Sequence, residues 1–212
     1  MEFNMMSKAY IMISFLGDDE SMYDIFRFLE TNLDKKILVY DASTNRKIFE
    51  DILGGTSKTP VLYNQVVYTT ESDYAWKKKE NYDITLIYIN DLINIEDKKI
   101  FVDNSDMVFY SYSPYRASYR HICKLARAYK KRDESDNLNL IYRNYDQDLT
   151  TDSILHVIHD NMKVYCLPRN EKDIKCATKI DYGYLNTNYL SDRMQEFLSD
   201  VVNKSQQIML CM

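Results

Sequence analysis

The chain has 212 residues, 45% of them hydrophobic, and a formal net charge of −5, which suits one α/β domain with an ordinary buried core. That composition excludes a disordered polyelectrolyte, and the acidic balance disfavours a surface that attracts nucleic acid or anionic lipid over its whole extent, while leaving room for a local basic patch. The four cysteines include no C-x-x-C pair and no histidine is spaced to join them, so reduced thiols and no metal site are expected.

Taken in order, the run Tyr10-Ile-Met-Ile-Ser-Phe15 reads as a strand, Gly17 as the turn that ends it, and Lys36 to Asp41 as a second apolar strand after an intervening helix. A phosphate-cradling turn needs several glycines and a lysine, but Gly17 is followed by Asp18, Asp19 and Glu20. Asn45 to Leu53 predicts a helix with Gly54-Gly55 as its C-cap. Thr59 to Thr69 gives two short strands about Asn64-Gln65, an edge hairpin with Pro60 at its start, and Glu71 to Glu80 is a polar helix holding Trp76.

Asn81 to Asn90 is a nearly continuous apolar strand of the kind covered by helices on both faces. After a loop or short helix come a strand from Asp106 to Pro114, a helix from Tyr115 to Arg132 and a strand from Asn137 to Asn144. A helix from Thr151 to His159, a strand from Met162 to Pro168, and helices over Glu171 to Thr178 and Leu190 to Lys204 complete the chain. The alternation predicts a mostly parallel, doubly wound sheet with helices on both faces, in a single domain. No run of about 18 apolar residues is present to span a bilayer, and Met1 to Ser7 lacks the character of a signal peptide, so a cytoplasmic location is expected.

The ordered landmarks resemble the MinD/ParA family of P-loop ATPases, the deviant Walker-A group. Ser14-Phe-Leu-Gly-Asp-Asp-Glu-Ser-Met22 is similar in position to the phosphate loop, and Leu38-Val-Tyr-Asp-Ala-Ser43 to the family's Val-Asp-x-Asp strand end. Tyr82-Asp-Ile-Thr-Leu-Ile-Tyr88 resembles the segment ending in the acid of the magnesium shell, with Tyr88 in the acid's place. Ser105 to Pro114 resembles the strand ending in Thr-x-Pro, Arg143-Asn144 echoes in inverted order the Asn-Arg beside adenine, and Val164 to Glu171 is similar to the Ile-Pro-x-Asp segment. The resemblance implies a three-layer P-loop NTPase-like fold and nucleotide-site equivalents at Gly17, Ser21, Met22, Asp41 and Asn144.

The same alignment of landmarks implies damaged chemistry. Phosphoryl transfer rests on positioning and charge neutralisation by backbone amides, lysine and magnesium. Leu16 stands in place of the signature first lysine, Ser21 in place of the second, and Met22 in place of the magnesium-binding hydroxyl. Three carboxylates would face a triphosphate, each repelling it by about 1 kcal/mol or more at surface-like dielectric. Asp18 to Ser21 instead suit the positive end of a helix. The expectation is a pseudo-ATPase with no catalytic residues and no cofactor; ATP and Mg²⁺ enter only under the alternative of a divergent active ATPase. An unrelated doubly wound domain, in which Gly17 is only a turn, is the further alternative.

The helix after Pro114 carries Arg116, Arg120, Lys124, Arg127 and Lys131 within roughly an 80° arc, with no acid from Tyr115 to Arg132. A solvated face explains such a stripe, and so does contact with an acidic protein partner; lipid headgroups or nucleic-acid phosphates rank after these. The resemblance implies a protein partner, including a related ATPase or a second copy of the chain, with peripheral membrane contact as a further option. Its implied role is to position cellular machinery such as pilus, secretion or division apparatus.

Overall fold

A computed structural model describes residues 10–17, 22–54, 59–90, 95–112, 138–143, 163–180 and 187–211. The strands are β1 (Ile11–Leu16), β2 (Ile37–Asp41), β3 (Val61–Tyr63), β4 (Val66–Thr69), β5 (Ile84–Ile89), β6 (Met107–Tyr112), β7 (Leu138–Arg143) and β8 (Lys163–Leu167). They form one sheet in the order β3-β4-β2-β5-β1-β6-β7-β8. Every pairing is parallel except the β3–β4 hairpin at one edge. That hairpin turns through Asn64 and Gln65, both at positive φ, as a two-residue connection matched to the strand twist requires.

The helices are α1 (Met22–Asn32), α2 (Lys47–Leu53), α3 (Ser72–Lys78), α4 (Ile95–Asp103), α5 (Glu171–Ile180) and α6 (Asp192–Leu210). Side chains alternate across the pleat, and the sheet has a core on each face. Ile11, Ile13 and Phe15 of β1 pack toward α1, α2, α5 and α6, with Phe26, Leu29, Phe49, Phe197 and Val201. Met12 and Leu16 pack the other way, toward α3 and α4, with Ala75, Phe101 and Val102. This is the expected three-layer arrangement, and it explains why β1 and β5 are buried at every position. The predicted helices at 115–132 and 151–159 lie outside the described residues, as does the basic face on the first of them.

Two polar devices fix helices to the sheet. On α1, Arg27 donates to Glu30 at 2.7 Å and to the Tyr68 hydroxyl at 3.3 Å, and that hydroxyl donates to the other Glu30 oxygen at 2.6 Å. All three are buried, so each charge or hydroxyl satisfies another out of water. Burial pushes the Glu30 carboxyl up, while the Tyr68 hydroxyl and the Arg27 charge pull it back. On α6, Asp200 accepts from Lys163 and from the Tyr165 hydroxyl of β8, and Lys204 donates to the buried Asn139 of β7 at 3.2 Å.

α6 runs further than its predicted end. Ser191 caps its start, its side chain accepting from the Met194 amide, and the helix continues to Leu210, with Ile208 and Met209 packed against the core. Ile208 and Met209 thus extend the packing of α6 past Lys204, whereas Leu210 is 85% exposed.

Candidate functional site at the carboxyl ends of the strands

Open α/β sheets bind ligands outside the carboxyl ends of their strands, where successive connections leave in opposite directions. Here the chain leaves β1 toward β2 on one side of the sheet order, and leaves β5 toward β6 on the other. Register aligns Asp41 with Tyr88 and Leu16 with Ile89. Asp41 therefore ends β2 level with Tyr88, the last residue but one of β5, and Gly17 follows the end of β1 two residues beyond that level.

Gly17 is set by steric demand. Its φ is +156°, and a Cβ added there would lie 2.4 Å from the Ser111 carbonyl oxygen of β6. Only glycine permits both that conformation and that approach. Its N–H donates to the Ile89 carbonyl at 3.1 Å, and its carbonyl accepts from the Tyr88 hydroxyl at 3.4 Å.

Tyr88 is 2% exposed. Its ring meets Phe26 of α1 edge-on, with centroids 6.0 Å apart. Tyr88 thus places an aromatic ring in the core below the turn.

Asp41, 3% exposed, is engaged by its own chain. One oxygen accepts from the Ser43 amide at 2.9 Å and from the Ser43 hydroxyl; the other accepts from the Phe49 amide at 2.8 Å. Burial pushes its carboxyl up, against the pull of the Ser43 hydroxyl and the amides of Phe49, Ser43 and Ile48. Asp41 is more than a plain strand-end residue: it holds the amides that open α2, whose own N-cap, Arg46, makes no side-chain cap bond.

The loop between β2 and α2 is tied to β5 and α4 as well. Asn90 accepts from the Thr44 amide at 2.9 Å and donates to Asn45 at 3.1 Å, and Lys98 donates to the Ala42 carbonyl. Nothing in the sequence marked Asn90 or Lys98, because their partners lie in a different strand connection. A polar residue at the end of the apolar run 81–90 was the one visible signal.

The structure thus brings Gly17 and Asp41 together with Tyr88. Met22 opens α1. Ser21, Asn144 and the basic residues Arg116, Arg120, Lys124, Arg127 and Lys131 lie outside the described residues. Among the described residues no cluster of three or more His, Cys, Asp or Glu could hold a metal ion, and no helix is long and apolar enough to cross a membrane.

No family model and no curated protein sequence matches the chain. Solved structures match nearly all of it. A ParA family ATPase from Chlorobium tepidum is 14% identical, with 92% of this chain and 98% of that chain covered and a TM-score of 0.61. A McdA variant of Cyanothece, solved as its ATP complex, is 8% identical, with coverage of 94% and 97% and a TM-score of 0.63. The MinD cell division protein of Aquifex aeolicus is 14% identical, with coverage of 89% and 97% and a TM-score of 0.56. What is shared at such identities is architecture: this protein has the MinD/ParA-like P-loop ATPase fold.

Proposed function

We propose that the protein is a non-catalytic pseudo-ATPase that acts as a scaffold or localisation factor through protein–protein contacts. The observation that carries this reading is the self-satisfied carboxyl end of the sheet. Asp41 spends its acceptors on Ser43 and the start of α2, and Tyr88 fills the acid's position with a buried ring. A site for Mg²⁺-ATP needs carboxylates and amides held open toward the ligand. With leucine, serine and methionine at positions 16, 21 and 22, the loop equivalents supply neither the lysines nor the metal-binding hydroxyl.

A fold without its chemistry retains its surfaces. One solved neighbour is a MinC:MinD cell division protein complex from Aquifex aeolicus, which supports a protein partner as the kind of ligand to seek. In this reading the protein is a single cytoplasmic domain, its partner is a related ATPase or a second copy of the chain, and Arg116, Arg120, Lys124, Arg127 and Lys131 form the face toward an acidic surface. Peripheral membrane contact is secondary, and the net charge of −5 disfavours nucleic acid.

Sedimentation with and without Mg²⁺-ATP, together with affinity capture, tests the proposal. A dimer or a captured complex that forms equally without nucleotide is expected. A monomer at high concentration that recovers no partner would count against it.

The alternative of a divergent active ATPase draws on the McdA neighbour, which was solved with ATP. It requires catalytic groups supplied by a partner, and it predicts nucleotide affinity that the scaffold does not need.

A further inference from the structure

The loop after β2 carries a feature that α2 does not explain. Arg46 is exposed and sits at φ 52°, ψ 39°, a left-handed conformation that a residue with a Cβ adopts only where its surroundings impose it. Those surroundings come from three directions. From below, the Asp41 carboxylate takes the Ser43 amide and hydroxyl and the Phe49 amide. From β5, Tyr88 accepts the Ala42 amide at 2.8 Å, and Asn90 grips Thr44 and Asn45 with its carbonyl and its amide. From α4, Lys98 reaches across to the Ala42 carbonyl. Ala42, Thr44 and Asn45 are thus held by groups that belong to the next strand and helix of the switch point.

We propose that Asn90 and Lys98 form a latch that locks the β2–α2 loop to the end of β5 in one conformation, with or without nucleotide. The proposal rests on the scaffold reading, in which the shape of this end of the sheet does not depend on a bound phosphate. In a sheet of this topology the loops after β2 and β5 flank the ligand position; a ligand that moved one against the other would have to break these bonds. Latched in this way, residues 42–45 move together with Asn90.

The test is amide hydrogen exchange on the full chain, comparing wild type with Asn90→Ala, Lys98→Met and the double variant. Peptides over residues 42–50 are expected to exchange about tenfold faster or more in the double variant, with the singles between. Peptides from β1 and β5 should stay protected and report in the same sample that the fold is intact. Should the double variant lose that core protection, the Lys98→Met single variant decides, since Lys98 approaches from the surface of α4.

Unchanged exchange over 42–50 in a folded variant would overturn the latch. Adding Mg²⁺-ATP to wild type separates the two readings. If exchange there is indifferent to nucleotide while the variants loosen, both stand. If the variants loosen and nucleotide also alters wild-type exchange, the latch exists but does not lock the loop against nucleotide, and the scaffold reading fails with that outcome.

Discussion

Gly17 ends the central strand against the backbone of β6, and its requirement is one of space. Gly17→Ala places a methyl 2.4 Å from the Ser111 carbonyl oxygen, a contact only a backbone shift relieves, so a loss of about 2–4 kcal/mol in urea unfolding is expected. That Gly17 marks a turn was legible, because a lone glycine after an apolar run punctuates a strand; the strand it touches was not, because Ser111 is remote in sequence. Asp41 behaves as a structural acid. Asp41→Ala strands the buried amides of Ser43 and Phe49 and should cost about 1–3 kcal/mol by the same measurement. Arg46 runs the other way: Arg46→Gly removes left-handed strain of about 1 kcal/mol, offset in part by the freer unfolded chain. Its urea midpoint should match or exceed wild type, whereas Arg46→Val should fall below both.

At the scale of elements, α1 and α6 are fixed by polar groups that periodicity cannot reveal. Both helices were predicted, whereas the pairing of Arg27 and Glu30 with Tyr68 of β4 depends on strand order. Glu30→Ala leaves the Arg27 guanidinium buried without its counter-charge and should cost about 3–5 kcal/mol. Replacing all three together, as Arg27→Met, Glu30→Leu and Tyr68→Phe, should be close to neutral, because the Arg27 Nε already lacks a partner and the desolvation of both charges is relieved. On α6, burial alone would raise the Asp200 carboxyl, but hydrogen bonding and charge from Lys163, with the Tyr165 hydroxyl, hold it below the ordinary range. The unfolded chain then binds more protons than the folded one as pH falls through the unfolded value near 3.8. Asp200 therefore contributes stability above that pH, which is lost as pH falls through its lowered folded value. The acid limb of the wild-type stability curve should be steeper than that of Asp200→Asn, modestly so because the pair is partly exposed.

Across the whole molecule, the alternation of apolar runs and amphipathic stretches made the parallel three-layer sheet legible, since buried strands must be apolar on both faces. The edge hairpin was readable from its turn residues. What stayed hidden was long-range: the bonds of Asn90 and Lys98 to the β2–α2 loop, and the packing of the Tyr88 ring against Phe26. Landmark order carried the fold further than any single motif, and fourteen per cent identity or less to the compared neighbours leaves the chemistry to the residues themselves. In the proposed reading those residues make a nucleotide fold closed on its own side chains. Isothermal titration with ATP and ADP in the presence of Mg²⁺ tests that claim most directly. No binding heat and no accompanying thermal shift are expected; a dissociation constant tighter than about 100 μM, worth roughly 5.5 kcal/mol, would overturn the pseudo-ATPase reading and make the divergent ATPase the better description.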